Sequence, residues 1–177
     1  MKNNYRNNIP ILCKSGHYVA TGAIIPAQEH FMSNLIRQKL IVALDSIEMP
    51  IKHPGHRFLL FLPEGELHEI GLLFHAYLIK KRGFPLIYLG QSVPYADLVS
   101  VQGQKPATHI VTTFFNTMPV AYLRDIVEKL AQQYKDTFII VSGGNAAFLE
   151  NLRHDNFLLL KHPGSFIELI DGLMGTP

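Results

Sequence analysis

Residues 63–71 of the chain read PEGELHEIG, between two apolar stretches. Glu66 stands two residues before His68, and Gly71 stands three after it. An imidazole at such a place can offer one ring nitrogen to a metal while a nearby carboxylate accepts the hydrogen of the other. That arrangement fixes the tautomer and raises ligand basicity, and losing the carboxylate typically costs about 10–100-fold in metal affinity. Gly71, with no side chain, lets a bulky group pass close to the helix backbone. The same residues also fit a plainer role, as polar side chains on an exposed loop that opens a helix.

One histidine cannot hold zinc, which takes three or four protein ligands. No second His, Cys or carboxylate lies at supporting spacing within this loop. A single protein ligand suffices where a macrocycle already supplies four, which points to haem or a corrinoid. Further along, Thr112 ends an apolar run with a hydroxyl. Gly143 and Gly144 end another, where side chains would block an approaching ligand tail.

The patterning of the chain supplies the frame for these positions. RFLLFL (57–62) is a continuous apolar run of the kind a strand buried on both faces shows. Residues 67–82 follow at helical period and end in KKRG, a helix stop. PLIYLG (85–90), THIVTTF (108–114), TFIIVSGG (137–144) and FLLL (157–160) read as further strands. VPYADLVSV, residues 120–134, NAAFLENL and SFIELIDGL read as the helices between and after them. Five strand–helix units in about 120 residues predict an α/β fold with a five-stranded, doubly wound parallel sheet of the flavodoxin-like order 2-1-3-4-5. In such sheets ligands bind beyond the carboxyl ends of the strands at the switch point, so the loops after strands 1, 3 and 4 are where chemistry is expected.

Ahead of the sheet, residues 27–47 place Phe31, Leu35, Leu40, Val42 and Leu44 near one helical stripe, with Pro26 as a first-turn residue. MPIKHPGH (49–56) then breaks the pattern as a linker. The expected organisation is a partial helical cap and linker over 1–56 and a Rossmann-like domain over 57–177. The chain has 177 residues, 47% hydrophobic and 17% charged, a globular composition with no internal repeat. Residues 1–57 carry seven Lys/Arg against three Asp/Glu and the remainder nine against eleven. Neither part has the basic stripe of a DNA-reading face. Cys13 is the single cysteine, which excludes an internal disulfide and fits a reducing cytoplasm. No apolar run is long enough to span a bilayer, and no signal peptide is expected.

Taken together, Glu66-x-His68-x-x-Gly71, Thr112-x-Phe114 and Gly143-Gly144 resemble the cobalamin (vitamin B12)-binding domain of methionine synthase and the corrinoid mutases. That family's pattern is Asp/Glu-x-His-x-x-Gly, then Ser-x-Leu, then Gly-Gly. The resemblance implies a cobalamin cofactor with His68 as lower axial ligand to cobalt. Glu66, Gly71, Thr112, Gly143 and Gly144 would be the other binding residues of the lower face and tail. HEIGLLFHAYLIKKRGFPLIYLGQSVPYADL is similar to the subgroup found in MerR-type transcriptional regulators, and PAQEHFMSNLIRQKL to its cap helix. Glu29 and His30 would then lie over the upper face of the corrin. The implied function is a cobalamin-sensing effector domain, not an enzyme. The implied partners are cobalamin, a homo-oligomer, and DNA only through a helix-turn-helix domain that the resemblance does not include.

The light-sensing members of that subgroup carry a Trp ten residues before the Glu, often followed by a His. Here those positions hold Val19 and Ala20, and the chain has no Trp. Adenosyl selectivity and a photochemical switch therefore do not follow, and the cofactor stands as adenosylcobalamin or another form. The family's cap is also longer than the 56 residues that precede the first strand, as in a fragment of a longer regulator or one that has lost those parts. Two other readings use the same residues. A corrinoid carrier for methyl transfer shares the motif but usually has Asp at the Glu66 position and Lys where Leu72 follows Gly71. A degenerate domain would keep the fold and bind nothing. A flavin site lacks its Ser/Thr-rich phosphate cradle, and a phosphoacceptor receiver lacks its aspartate cluster. His75 reads as a packing or surface residue, and the remaining histidines take no role.

Overall fold

A computed structural model describes residues 25–115, 118–144, 146–162 and 164–175. Cys13, His17, Val19 and Ala20 lie outside these described residues. Five strands form one parallel sheet: β1 (Phe58–Pro63), β2 (Leu86–Val93), β3 (His109–Thr113), β4 (Phe138–Ser142) and β5 (Phe157–Leu159). Their order is β2-β1-β3-β4-β5, the order expected from the sequence. Every residue of β1 is buried, as its unbroken apolar run requires of a strand covered on both faces.

The helices divide between those faces. Side chains alternate along a strand, and each face has its own core. Leu59, Phe61, Ile110, Ile139 and Val141 pack with residues of α3 (Tyr95–Gln104) and α4 (Val120–Gln133). Phe58, Leu60, Leu62, Val111 and Ile140 pack with residues of α2 (Ile70–Lys81) and α5 (Ser165–Leu173). NAAFLENL, expected as a helix, holds among its described residues one 3-10 turn, Ala146–Leu149. β2 runs to Val93, past the expected end at Gly90, with register shifts against β1 and positive φ at Gly90 and Ser92.

Two boundaries differ for identifiable reasons. The helix expected from residue 67 begins at Ile70, because the N–H groups of Leu67 and His68 are turned onto the Glu66 carboxylate. Ahead of the sheet, α1 (Pro26–Asp45) starts at Pro26 as expected, with the proline in its first turn. Its apolar stripe, however, is not a buried face: no α1 residue is buried, and Phe31 and Val42 are 68% and 66% exposed. The helix packs against α2 and is tied down by polar contacts, since Arg37 pairs with Glu69 and Lys80 Nζ donates to the Leu44 carbonyl at 3.0 Å. After α1 the linker runs back along the end of α2, where Lys52 N–H donates to the Gly83 carbonyl at 2.8 Å. Among the described residues no helix is long and apolar enough to cross a membrane.

Candidate functional site

The loop leaving β1 is organised around one carboxylate. Glu66 is 1% exposed. Its Oε1 accepts the N–H of Leu67 at 2.9 Å, the N–H of His68 at 3.0 Å and Nδ1–H of His68 at 2.7 Å. Its Oε2 accepts the N–H of Phe115, from the end of β3, at 3.3 Å. A carboxylate at this distance favours the tautomer with the hydrogen on Nδ1 and the lone pair on Nε2. With its side chain 58% exposed, His68 presents that imidazole at the mouth of the sheet. Glu66 and His68 are thus in direct side-chain contact.

The end of β2 clasps the same loop. Ser92 Oγ accepts the N–H of Gly65 at 3.1 Å, Ser92 N–H donates to the Glu66 carbonyl at 3.2 Å, and Gln91 Nε2 donates to the Leu67 carbonyl at 2.6 Å. Sequence reasoning missed Gln91 and Ser92, which belong to a strand read as ending at Gly90. It also missed Glu69, the residue after His68. Glu69 is 5% exposed, pairs with Arg37 of α1 and accepts the Tyr88 hydroxyl of β2 at 2.9 Å. Burial, and then the Glu69 charge, push the Tyr88 phenol well above its ordinary range, so Tyr88 stays a donor.

The end of β3 divides its residues between the two faces of the sheet. Ile110 and Phe114 belong to the core on the α3–α4 side, and Val111 to the core on the α2–α5 side. By alternation Thr112 falls on the α3–α4 side and Thr113 on the α2 side. There the Thr113 Cγ2 lies 4.0 Å from where a Cβ would stand on Gly71. Thr113-x-Phe115 is the pair that faces Gly71, while Thr112 and Phe114 lie on the other side of the sheet. Both threonines are fully buried, and neither hydroxyl has a partner among the described residues.

Gly71 also meets a neighbour that the sequence did not announce. The Phe115 ring lies over it, with Cε2 2.9 Å and Cζ 3.3 Å from the position a Cβ would take. The close approach that Gly71 permits is thus used by the chain's own aromatic ring, which is 40% exposed. The two later glycines separate in role. Gly143 has φ +113°, and a side chain there would run into the backbone of Phe114. It serves the packing of β4 against β3. Gly144 has nothing within 4 Å of a Cβ position and leaves open space beyond the strand.

Glu29 and His30 pair with each other at 3.3 Å in the first turn of α1, with the His30 side chain 75% exposed. Arg37, which ties the helix to the sheet, is eight residues beyond Glu29, about 12 Å along the axis at 1.5 Å per residue. His75 is a packing residue: it stacks on Phe166 at 4.0 Å, and burial lowers its pKa to about 4. His109 stands at the opposite end of β3 from Thr113, stacked on Phe58 at 4.6 Å, and is lowered to about 4 by burial and then by His56. Among the described residues no group of three or more His, Cys, Asp or Glu could hold a metal ion. The site offers one outward imidazole, which suits a metal whose other ligands come from elsewhere.

No family model matches the chain. Among curated proteins it is similar to the HTH-type transcriptional repressor CarH of Myxococcus xanthus, 37% identical over 89 residues. It is also similar to the HTH-type transcriptional repressor CarA of the same organism, 39% identical over 72 residues. The matches cover 50% and 41% of this chain but only 29% and 24% of the repressors, so they concern a part of each. Both are described as HTH-type transcriptional repressors. A monomethylamine corrinoid protein of Methanosarcina barkeri superposes with a TM-score of 0.69 at 16% identity, over 88% of this chain and 74% of that one. At that identity the likeness is one of fold.

Proposed function

We propose that this chain is the cobalamin-binding sensor module of a MerR-type transcriptional regulator. His68 is its lower axial cobalt ligand, and a corrinoid, adenosylcobalamin or another form, is its cofactor. The observation that carries the reading is the buried Glu66 carboxylate 2.7 Å from His68 Nδ1, which leaves Nε2 free to ligate at the sheet mouth. Kinship with two HTH-type repressors supports the regulatory role, and the fold shared with a corrinoid protein supports the cofactor class.

The residues present fit such a group. Thr112 and Thr113 each leave a buried hydroxyl unpartnered, one on either face of the β3 end, so a polar ligand tail would find a partner on whichever face it enters. Gly144 leaves open space at the end of β4. Phe115 would have to yield for anything to pass over Gly71. A bound corrinoid would supply a cobalt centre that the His68 imidazole could ligate. Glu66 keeps the proton on Nδ1 and orients the imidazole, while Gln91 and Ser92 hold the loop backbone beneath it. Glu29 and His30 are assigned to the upper face. Binding biases a homo-oligomeric state to the extent that affinity differs between assembled and free forms. DNA is contacted by a separate helix-turn-helix domain, and the module works in the cytoplasm.

The test is a visible-light titration of the purified chain with hydroxo-, methyl- and adenosylcobalamin in the dark, beside His68→Ala. A spectral shift on binding that His68→Ala abolishes supports the axial role. A variant that binds with an unchanged spectrum sinks it. Gel filtration of the same samples reads the oligomeric change.

A further inference from the structure

We infer that Glu69 is a positioning residue that couples ligand occupancy at His68 to the docking of helix α1, through Arg37. The inference rests on the reading of His68 as an axial ligand. Glu69 directly follows His68, immediately precedes the first residue of α2 and is 5% exposed. One of its oxygens pairs with Arg37 Nε of α1, the other accepts the Tyr88 hydroxyl at 2.9 Å. The peptide that carries the imidazole is therefore fastened to the cap helix and to edge strand β2 through one carboxylate.

The way α1 is attached makes that fastening consequential. None of its twenty residues is buried. Beneath its C-terminal half lies a cavity of about 430 Å³, lined in part by Ile41, Leu44, Met49, Phe84, Leu86 and Tyr88. An element with few buried apolar contacts sits at the low end of local stability. Its docking then depends heavily on the Arg37–Glu69 pair and on Lys80 donating to the Leu44 carbonyl. A ligand that stiffens the His68–Glu69 backbone lowers the ordering cost of that pair. By linkage, a docked α1 must raise ligand affinity by the same factor.

Hydrogen–deuterium exchange on the full chain tests this with and without hydroxocobalamin, the probe ligand. Without ligand, Arg37→Ala is expected to speed exchange several-fold in α1 and also at residues 66–69. A response confined to α1 means that the tie does not reach the loop and overturns the inference. With saturating hydroxocobalamin, the wild type is expected to show about tenfold slower exchange in α1. Arg37→Ala should bind with the same His68-dependent spectrum, an affinity lowered by that same factor, and no slowing in α1. Glu69→Gln should behave as Arg37→Ala does, and Arg37→Lys should restore part of the coupling. Ligand-dependent protection of α1 that survives in Arg37→Ala overturns the coupling while leaving His68 as ligand. A wild type without a spectral shift overturns the axial reading, and the ligand-free arm then still decides whether Arg37 and the loop move as one.

Discussion

The ring of Phe115 rests on the backbone of Gly71, its Cε2 2.9 Å from where a side chain would begin. Gly71 lies within a helix at an ordinary φ, so Ala there gains about 1 kcal/mol of helix propensity. The part-exposed ring can swing outward to make room. Gly71→Ala is therefore expected to shift stability by less than about 1 kcal/mol and to abolish contacts between the Phe115 ring and α2 in nuclear Overhauser spectra. A loss above about 2 kcal/mol in urea unfolding would mean that the ring is locked in place.

Gly143 is a different case. Its φ of +113° and the Phe114 backbone beside it leave no place for a methyl group. Gly143→Ala is expected to cost about 2–3 kcal/mol or more, whereas Gly144→Ala, with open space around it, should stay within about 0.5 kcal/mol. Thermal unfolding of the two variants side by side checks the contrast, and equal melting points would refute it.

Glu66→Gln removes the charge that holds the His68 hydrogen and one acceptor oxygen from a buried cluster of donors. Stability is expected to fall by about 1–3 kcal/mol. Hydroxocobalamin affinity, measured by visible titration, is expected to fall about 10–100-fold. An unchanged Kd would remove Glu66 from the site.

Acid should destabilise the fold through its buried histidines. His109 is lowered to about 4 in the folded state, against 6.5 when unfolded. Between these values the unfolded chain binds more protons, so stability rises with pH through the window and levels off above about 6.5. From pH 7 to pH 5 the loss from His109 is about 2 kcal/mol, and His75, lowered likewise, adds in the same direction. Urea midpoints measured over this range should fall for the wild type and fall less for His109→Phe. A flat profile in the wild type would show that neither ring is held neutral.

The sheet order was legible because each strand is a short apolar run bounded by breakers, and the Glu66–His68 contact because two residues of local spacing determine it. The facing of the β3 end was not. Thr112, Thr113, Phe114 and Phe115 form two like pairs in succession, and a slip of one residue exchanges the faces without altering the composition of the pattern. The exposed stripe of α1 misled for a related reason: periodicity marks an apolar face but not what covers it. Arg37–Glu69 joins residues 32 apart, and nothing local in either sequence neighbourhood marks the partner. Gln91 and Ser92 escaped because their roles arise from a strand that continues through irregular backbone.

The donors gathered on Glu66 come from two loops, one after β1 and one after β3, while the backbone of the first is also held from β2. The imidazole is thus less a property of a short motif than of three strand ends meeting over one oxygen pair. Grafting it onto another parallel sheet would mean transplanting all three ends in register. A scaffold given only Glu-x-His-x-x-Gly would carry the letters without the tautomer.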